Sequence, residues 1–277
     1  MAGLLRNHWP EYLMEAAGLG LFMISAGLCA TLLEHPGSPL HQALPSPVLR
    51  RALMGAAMGL TAVAIIHSPW GRRSGAHINP AVTLAFLRLG KVRPADAAFY
   101  IAFQCVGGLG GALLVAALLG RRFTSPPIAA IATVPGAAGP AVAFAAELTM
   151  AFLLMGMVLV TTNRPGWERF TGVGAGLLVA LFITAAAPLS GMSINPARTL
   201  ASAVPSGLWT GAWIYAMAPP LGMLLAVEVY RRLPGRRPVR CAKLNHDPRS
   251  RCIFCGDPAC RAPRLINQGG VHAHGPV

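Results

Sequence analysis

The segment Ser74-Gly75-Ala76-His77-Ile78-Asn79-Pro80-Ala81-Val82-Thr83-Leu84 returns as Ser190-Gly191-Met192-Ser193-Ile194-Asn195-Pro196-Ala197-Arg198-Thr199-Leu200, with eight of eleven positions identical. An internal repeat constrains a fold more than local propensity does, because it marks the same structural unit used again. In each copy Asn is a favoured N-cap, and Pro suits the first helical position, where its missing N–H would be unpaired anyway. Asn79, Pro80 and Ala81 therefore open a helix predicted to end near Leu89, before Gly90. Asn195, Pro196 and Ala197 open a second, predicted to end near Val204, before Pro205. At 1.5 Å per residue each is roughly 15 Å long, about half the hydrocarbon thickness of a bilayer. Neither can cross a membrane alone, and two placed end to end can.

A membrane setting follows from composition: 54% of residues are hydrophobic and only 12% charged. Apolar runs long enough to span lie at about 11–33, 48–68, 95–119, 141–162, 170–188 and 210–230. Glu15 lies inside the first run, which favours a retained span over a cleavable signal peptide. The short helices follow the second and fifth spans, so each half of the chain holds three spans and one half-helix. Three is odd, so the second half enters from the opposite side, and an inverted repeat places its site at the midplane where the broken helices meet. Gly55 with Gly59, Gly107 with Gly111, and Gly172 with Gly176 are small-residue steps that read as helix packing. With the N-terminus inside, 18 of the 23 Lys and Arg fall on the inner side, which predicts that both termini are cytoplasmic. The net charge of +14 is thereby a matter of topology and membrane surface, and nucleic acid is not an expected partner.

With two Asn-Pro-Ala motifs, the second followed by Arg198, the chain resembles the aquaporins and aquaglyceroporins, the major intrinsic proteins, over roughly Glu11 to Arg232. The resemblance implies an all-α bundle of six spanning helices and two half-helices, assembled as a homotetramer with one pore per subunit in the cell membrane. It implies passive flow of water and small neutral solutes such as glycerol, ammonia or metalloid acids, with no catalysed reaction. Asn79 and Asn195 then act both as caps and as donors to a passing solute, and the facing positive ends of the half-helices repel cations and protons. The extended backbone before each motif is tolerable in lipid only where it lines a water-filled path. Arg198 costs about 2.5–3.5 kcal/mol at bilayer depth, so it should face a cavity, and the resemblance places it at the outer constriction. Glu15, His77, Gln104 and Glu147 match positions that support the loops. The filter positions align to Met58, Ile183, Met192 and Arg198, with Gly59 the alternative to Met58 because the following linker is one residue longer. Three apolar sides and one donor depart from a water-only filter. Thr199, where glycerol channels usually carry Asp, and Tyr215, of water-channel type, make the signature mixed.

From residue 233 the resemblance gives no help. The chain divides into a channel domain, 1–232, with halves at about 1–125 and 126–232, and a basic tail, 233–277. The tail carries Cys241, His246, Cys252, Cys255 and Cys260, five candidate ligands for a tetrahedral zinc. Metal ligation is a common means for so short and polar a segment to fold. Four thiolates from Cys241, Cys252, Cys255 and Cys260 are expected, with His246 the rival to Cys241 or Cys260 and basic residues from Arg231 to Arg237 holding the tail near the membrane. A disordered tail with idle cysteines and a thiolate trap for soft species such as arsenite are the alternatives. Two other functional classes are a junctional or structural membrane protein and a metal- or thiol-sensing receptor with a secondary pore.

Overall fold

Proline sets where most of the helices begin. A computed structural model describes residues 2–255, with eleven α-helices among them. They are α1 (Ala2–Glu34), α2 (Pro39–Ala43), α3 (Pro47–His67), α4 (Pro69–Ser74), α5 (Pro80–Arg88), α6 (Pro94–Leu119), α7 (Arg121–Thr124), α8 (Pro140–Thr162), α9 (Thr171–Ser190), α10 (Pro196–Ser206) and α11 (Ala212–Arg232). Seven of the eleven start on Pro, which has no N–H to leave unpaired in the first turn. Six helices are long and apolar enough to cross a membrane: α1, α3, α6, α8, α9 and α11. Their even number puts the start of α1 and the end of α11 on one face, here termed the terminal face. The half-helix α5 follows a loop that enters from the terminal face, and α10 follows one that enters from the opposite face.

Two boundaries differ from the sequence expectation. The first spanning helix starts at Ala2 and carries Pro10 internally, well before residue 11. The second half-helix runs past Pro205 to Ser206 and ends on Gly207 at φ 70°. A proline in the last turn leaves only the Ala201 carbonyl without its helical donor, and Ser206 and Ser202 hold the turn by a 2.8 Å side-chain bond to backbone.

Glycine sets how closely the spans approach. A Cβ on Gly107 would lie 2.0 Å from the Ala16 carbonyl oxygen, and one on Gly111 would lie 2.3 Å from that of Gly20, so α6 crosses α1 at backbone contact. In the second half the same crossing is made by α11 on α8, where a Cβ on Gly222 would lie 2.2 Å from the Leu148 carbonyl oxygen. Between the halves, Gly59 of α3 and Gly176 of α9 face each other's backbone. These crossings leave a cavity along the axis, and α5 and α10 abut beside it.

Candidate functional site

The loops before α5 and α10 run through backbone conformations that side chains rarely adopt. Ala76 and Ile78 have φ of 53° and 40°, and their repeat mates Met192 and Ile194 have 50° and 47°. For β-branched Ile this region is strained and persists only where surrounding contacts hold it. A buried carboxylate holds each loop. Glu15 accepts from Ser74 Oγ at 2.7 Å, His77 N at 3.1 Å and Ile78 N at 2.6 Å. Glu147 accepts from Ser190 Oγ at 2.7 Å, Ser193 N at 2.8 Å and Ile194 N. Tyr100 and Tyr215 complete the symmetry, donating to the Ser74 and Ser190 carbonyls at 2.7 and 2.6 Å. Gln104 is particular to the first half, donating to Glu15 at 2.9 Å and Thr83 at 3.2 Å.

The motif asparagines cross over. Asn79 Oδ1 accepts from Ala81 N at 2.8 Å, and Asn195 Oδ1 from Ala197 N at 3.1 Å, which caps each half-helix. Asn79 Nδ2 donates to the Ile194 carbonyl at 2.7 Å, and Asn195 Nδ2 donates to the Ile78 carbonyl at 2.8 Å. Each amide has two donor hydrogens, so a second one is left on each Asn beside the cavity that both residues line. Pro80 and Ala81, and Pro196 and Ala197, form the first turns behind them. Half a positive charge at each helix start, on facing half-helices, disfavours a cation between them.

The cavity holds about 390 Å³ and runs from Glu34 and Arg51 near the opposite face to Ala76, His77 and Leu244 near the terminal face. Met58, Ile183, Met192 and Arg198 all line it. Gly59 instead packs on the Gly176 backbone, which separates it from Met58. Arg198 makes one long 3.4 Å contact to Ser202 Oγ. Arg51 was not singled out from sequence. Its Nε donates to the Thr184 carbonyl at 3.2 Å, and it adds a second cation at that end of the cavity. The Arg50-Arg51 pair at the start of a span was the available signal, but it also fits a helix end in lipid headgroups.

Different chain segments cover the two loops. The connection between α7 and α8 lies over the second: Gly136 N donates to the Leu189 carbonyl at 3.0 Å, Thr133 and Thr199 share a 3.0 Å bond, and Ile131 and Ala132 line the cavity. The tail lies over the first: Leu244 N donates to the Gly75 carbonyl at 3.1 Å, His77 Nε2 pairs with the Ala242 carbonyl at 2.6 Å, and Leu244 lines the cavity. His77 sits between the rings of Phe86 and Phe254, at 5.1 and 5.7 Å. Lys243 donates to the Arg72 carbonyl at 2.8 Å, and Arg240 N to Asn163 Oδ1 at 3.0 Å. The tail is thus docked by residues 240–254. Arg231 and Arg232 pair with Glu228, and Arg236 bonds the Arg231 carbonyl.

Within the tail, Cys241, His246, Cys252 and Cys255 bring one ligand atom each to within 4.8 Å of one another. Cys260 lies outside the described residues, and His246 stands with the three thiols in a set that could hold a metal. Cys241 and Cys252 are 3.5 Å apart. Their shared hydrogen bond, with further help from His246 and Lys243, draws the Cys252 thiol well below its ordinary value, while the same bond and burial push Cys241 up. Among the other described cysteines, Cys29 and Cys105 lie apart in α1 and α6.

The family model described as "Major intrinsic protein" matches residues 6–230. "Probable aquaporin NIP-type" of Nicotiana alata is 34% identical over 174 residues, 62% of this chain and 62% of that protein. "Aquaporin NIP2-3" of Zea mays is 37% identical over 173 residues, 62% of this chain and 55% of that protein. The matched stretch therefore takes in less than two thirds of either relative's length. The crystal structure titled "X-ray structure of the aquaglyceroporin from Plasmodium falciparum" shares the fold with a TM-score of 0.64 at 21% identity, covering 82% of this chain and 96% of that one.

Proposed function

Because the chain belongs to the major intrinsic protein family, we propose that it is a passive channel for water and small uncharged solutes. The observation that carries this reading is the axial cavity on which both motif asparagines, the strained loops and Arg198 converge. A neutral solute losing its hydration shell meets Asn79 and Asn195 N–H donors at the midpoint, while the half-helix dipoles and Arg198 oppose cations. Glu15, Glu147, Gln104 and His77 act as positioning residues for that path. No reacting group is required, because the process is diffusion down a gradient.

The lining favours solutes larger and less polar than water alone. Met58, Ile183 and Met192 offer thioether and alkyl surface opposite the Arg198 guanidinium, a fit for glycerol-sized molecules or neutral metalloid acids. The excess of basic residues on the terminal face supports a cell-membrane orientation with both termini on the cytoplasmic side, and the exposed apolar side chains of the spans suit contact with lipid or with the neighbouring subunits of a homotetramer. The tail cluster suits zinc, since three thiolates and one imidazole are a common tetrahedral zinc set.

Stopped-flow measurement on proteoliposomes tests the channel. Water and glycerol should both permeate well above the protein-free rate, with no proton leak. Water flux without passage of any larger neutral solute would sink the filter reading, and absence of all flux would sink the channel itself.

A further inference from the structure

The contacts that dock the tail on the first pore loop are bracketed by the metal-ligand set. Ala242, Lys243 and Leu244 lie between Cys241 and His246, and Phe254 lies between Cys252 and Cys255. One ion joining those four side chains would fix both short loops at once, and with them every contact to Gly75 and His77. Leu244 is 6% exposed and lines the cavity, so the segment that the ion would hold contributes an apolar side chain to the conducting path.

The surroundings carry the charge that such an ion requires. Lys243 is 1% exposed, and its ammonium donates to the Arg72 and Arg251 carbonyls, both at 2.8 Å. No carboxylate lies within ion-pair range of it among the described residues. A buried ammonium needs nearby negative charge. Three thiolates around a divalent ion leave a net charge of about −1 beside it, which the Lys243 ammonium complements. Two ion pairs add to the dock, Arg72 with Asp247 at 3.8 Å and Arg251 with Glu11 at 3.8 Å.

We propose that residues 239–254 form a metal-held plug at the terminal-face mouth of the pore, seated while a zinc-like divalent ion occupies Cys241, His246, Cys252 and Cys255 and released when the ion leaves. This rests on the reading of the tail as a zinc site. The ion is regulatory and takes no part in selection of solute, because its ligands lie outside the cavity lining. Its loss frees Leu244 from the path and Ala242 from His77, and the mouth widens.

The full-length chain, purified reduced and reconstituted, tests this with zinc analysis and stopped-flow water flux side by side. About one zinc per chain is expected, with cobalt substitution giving the absorption of a tetrahedral thiolate site. If the undocked form is about 10% populated with zinc and dominant without it, chelation raises flux about tenfold. Hydrogen exchange over 239–254 should accelerate on the same treatment. Leu244→Ala touches no ligand, so it should keep its zinc and conduct faster with zinc on. Cys255→Ser should lose the metal, and if it does not accumulate, chelation of the unmodified chain and Leu244→Ala still decide. Zinc that binds and strips with no change in flux, together with Leu244→Ala at the unmodified rate, overturns the plug and leaves the metal site standing. Reduced protein without metal overturns both.

Discussion

Glu15 and Glu147 grip their loops through matching donors, yet the surfaces above those loops are built from unrelated chain. Above Gly191 lies Thr133, whose Cα would be 3.1 Å from an added Cβ, and above Gly75 lies the Ala242 carbonyl, at 3.0 Å. The two coverings thus approach equivalent glycines equally closely. One belongs to a connection that any chain of this topology must have. The other is a C-terminal addition with its own candidate metal ligands. The repeat fixes what a pore loop needs beneath it and leaves open what closes over it.

The largest effect should come from removing the braces. Each buried donor left without an acceptor costs about 1–3 kcal/mol. Glu15 serves four donors and Glu147 three, the extra one being Gln104. Glu15→Leu and Glu147→Leu should both lower the melting temperature in detergent and abolish flux, Glu15→Leu more severely. A milder Glu15→Leu would show that the tail, rather than the carboxylate, secures the first loop.

Next come the positions where the loops differ. Arg198 aligns with Val82, so Arg198→Val makes the second loop resemble the first. Proton or sodium leak should appear in proteoliposomes and solute discrimination should weaken; an unchanged ion barrier would assign exclusion to the half-helices alone. At the proposed filter, Ile183→His polarises the wall, and the ratio of glycerol to water permeability should fall about tenfold, within the range one pocket group supplies. An unaltered ratio would move the constriction away from Ile183.

The smallest change converts His77 to its repeat mate. His77→Ser removes the 2.6 Å pairing with Ala242 and the ring face for Phe254. One hydrogen bond is worth about 1 kcal/mol net, so exchange over 239–254 should quicken about fivefold. Exchange at the unmodified rate would mean that Lys243 and Leu244 dock the tail without it.

Legibility in the sequence followed the same division. The repeat exposed the half-helices and apolar run length exposed the spans, because each is a local pattern, while the bracing role of the paired glutamates came from the family resemblance. Pro205 misled about the end of α10, since a proline in a final turn forfeits little. A linker one residue longer could not tell which of Met58 and Gly59 faces the cavity, because that depends on the α3–α9 crossing, which packs Gly59 on the Gly176 backbone and leaves Met58 on the cavity wall. The tail's cysteines were conspicuous, but their docking was not. Leu244 and Phe254 have no periodic partners, and their contacts with Gly75 and His77 join residues about 170 positions apart. Arg51 was lost for a similar reason: its bond to Thr184 spans 133 residues.

The reciprocal bonds of Asn79 and Asn195 also bear on synthesis. The Asn79 side chain and its acceptor at Ile194 are separated by 115 residues. At about 5–20 residues per second, translation leaves the first half waiting roughly 6–23 s for its acceptor. During that interval the Ile78 carbonyl and the Asn79 amide stand unmatched near the centre of the bilayer. A nascent first half must therefore keep water, the translocation machinery or a neighbouring chain beside its unfinished loop. The duplicated halves mature as one unit, and neither arrives in final form before the other.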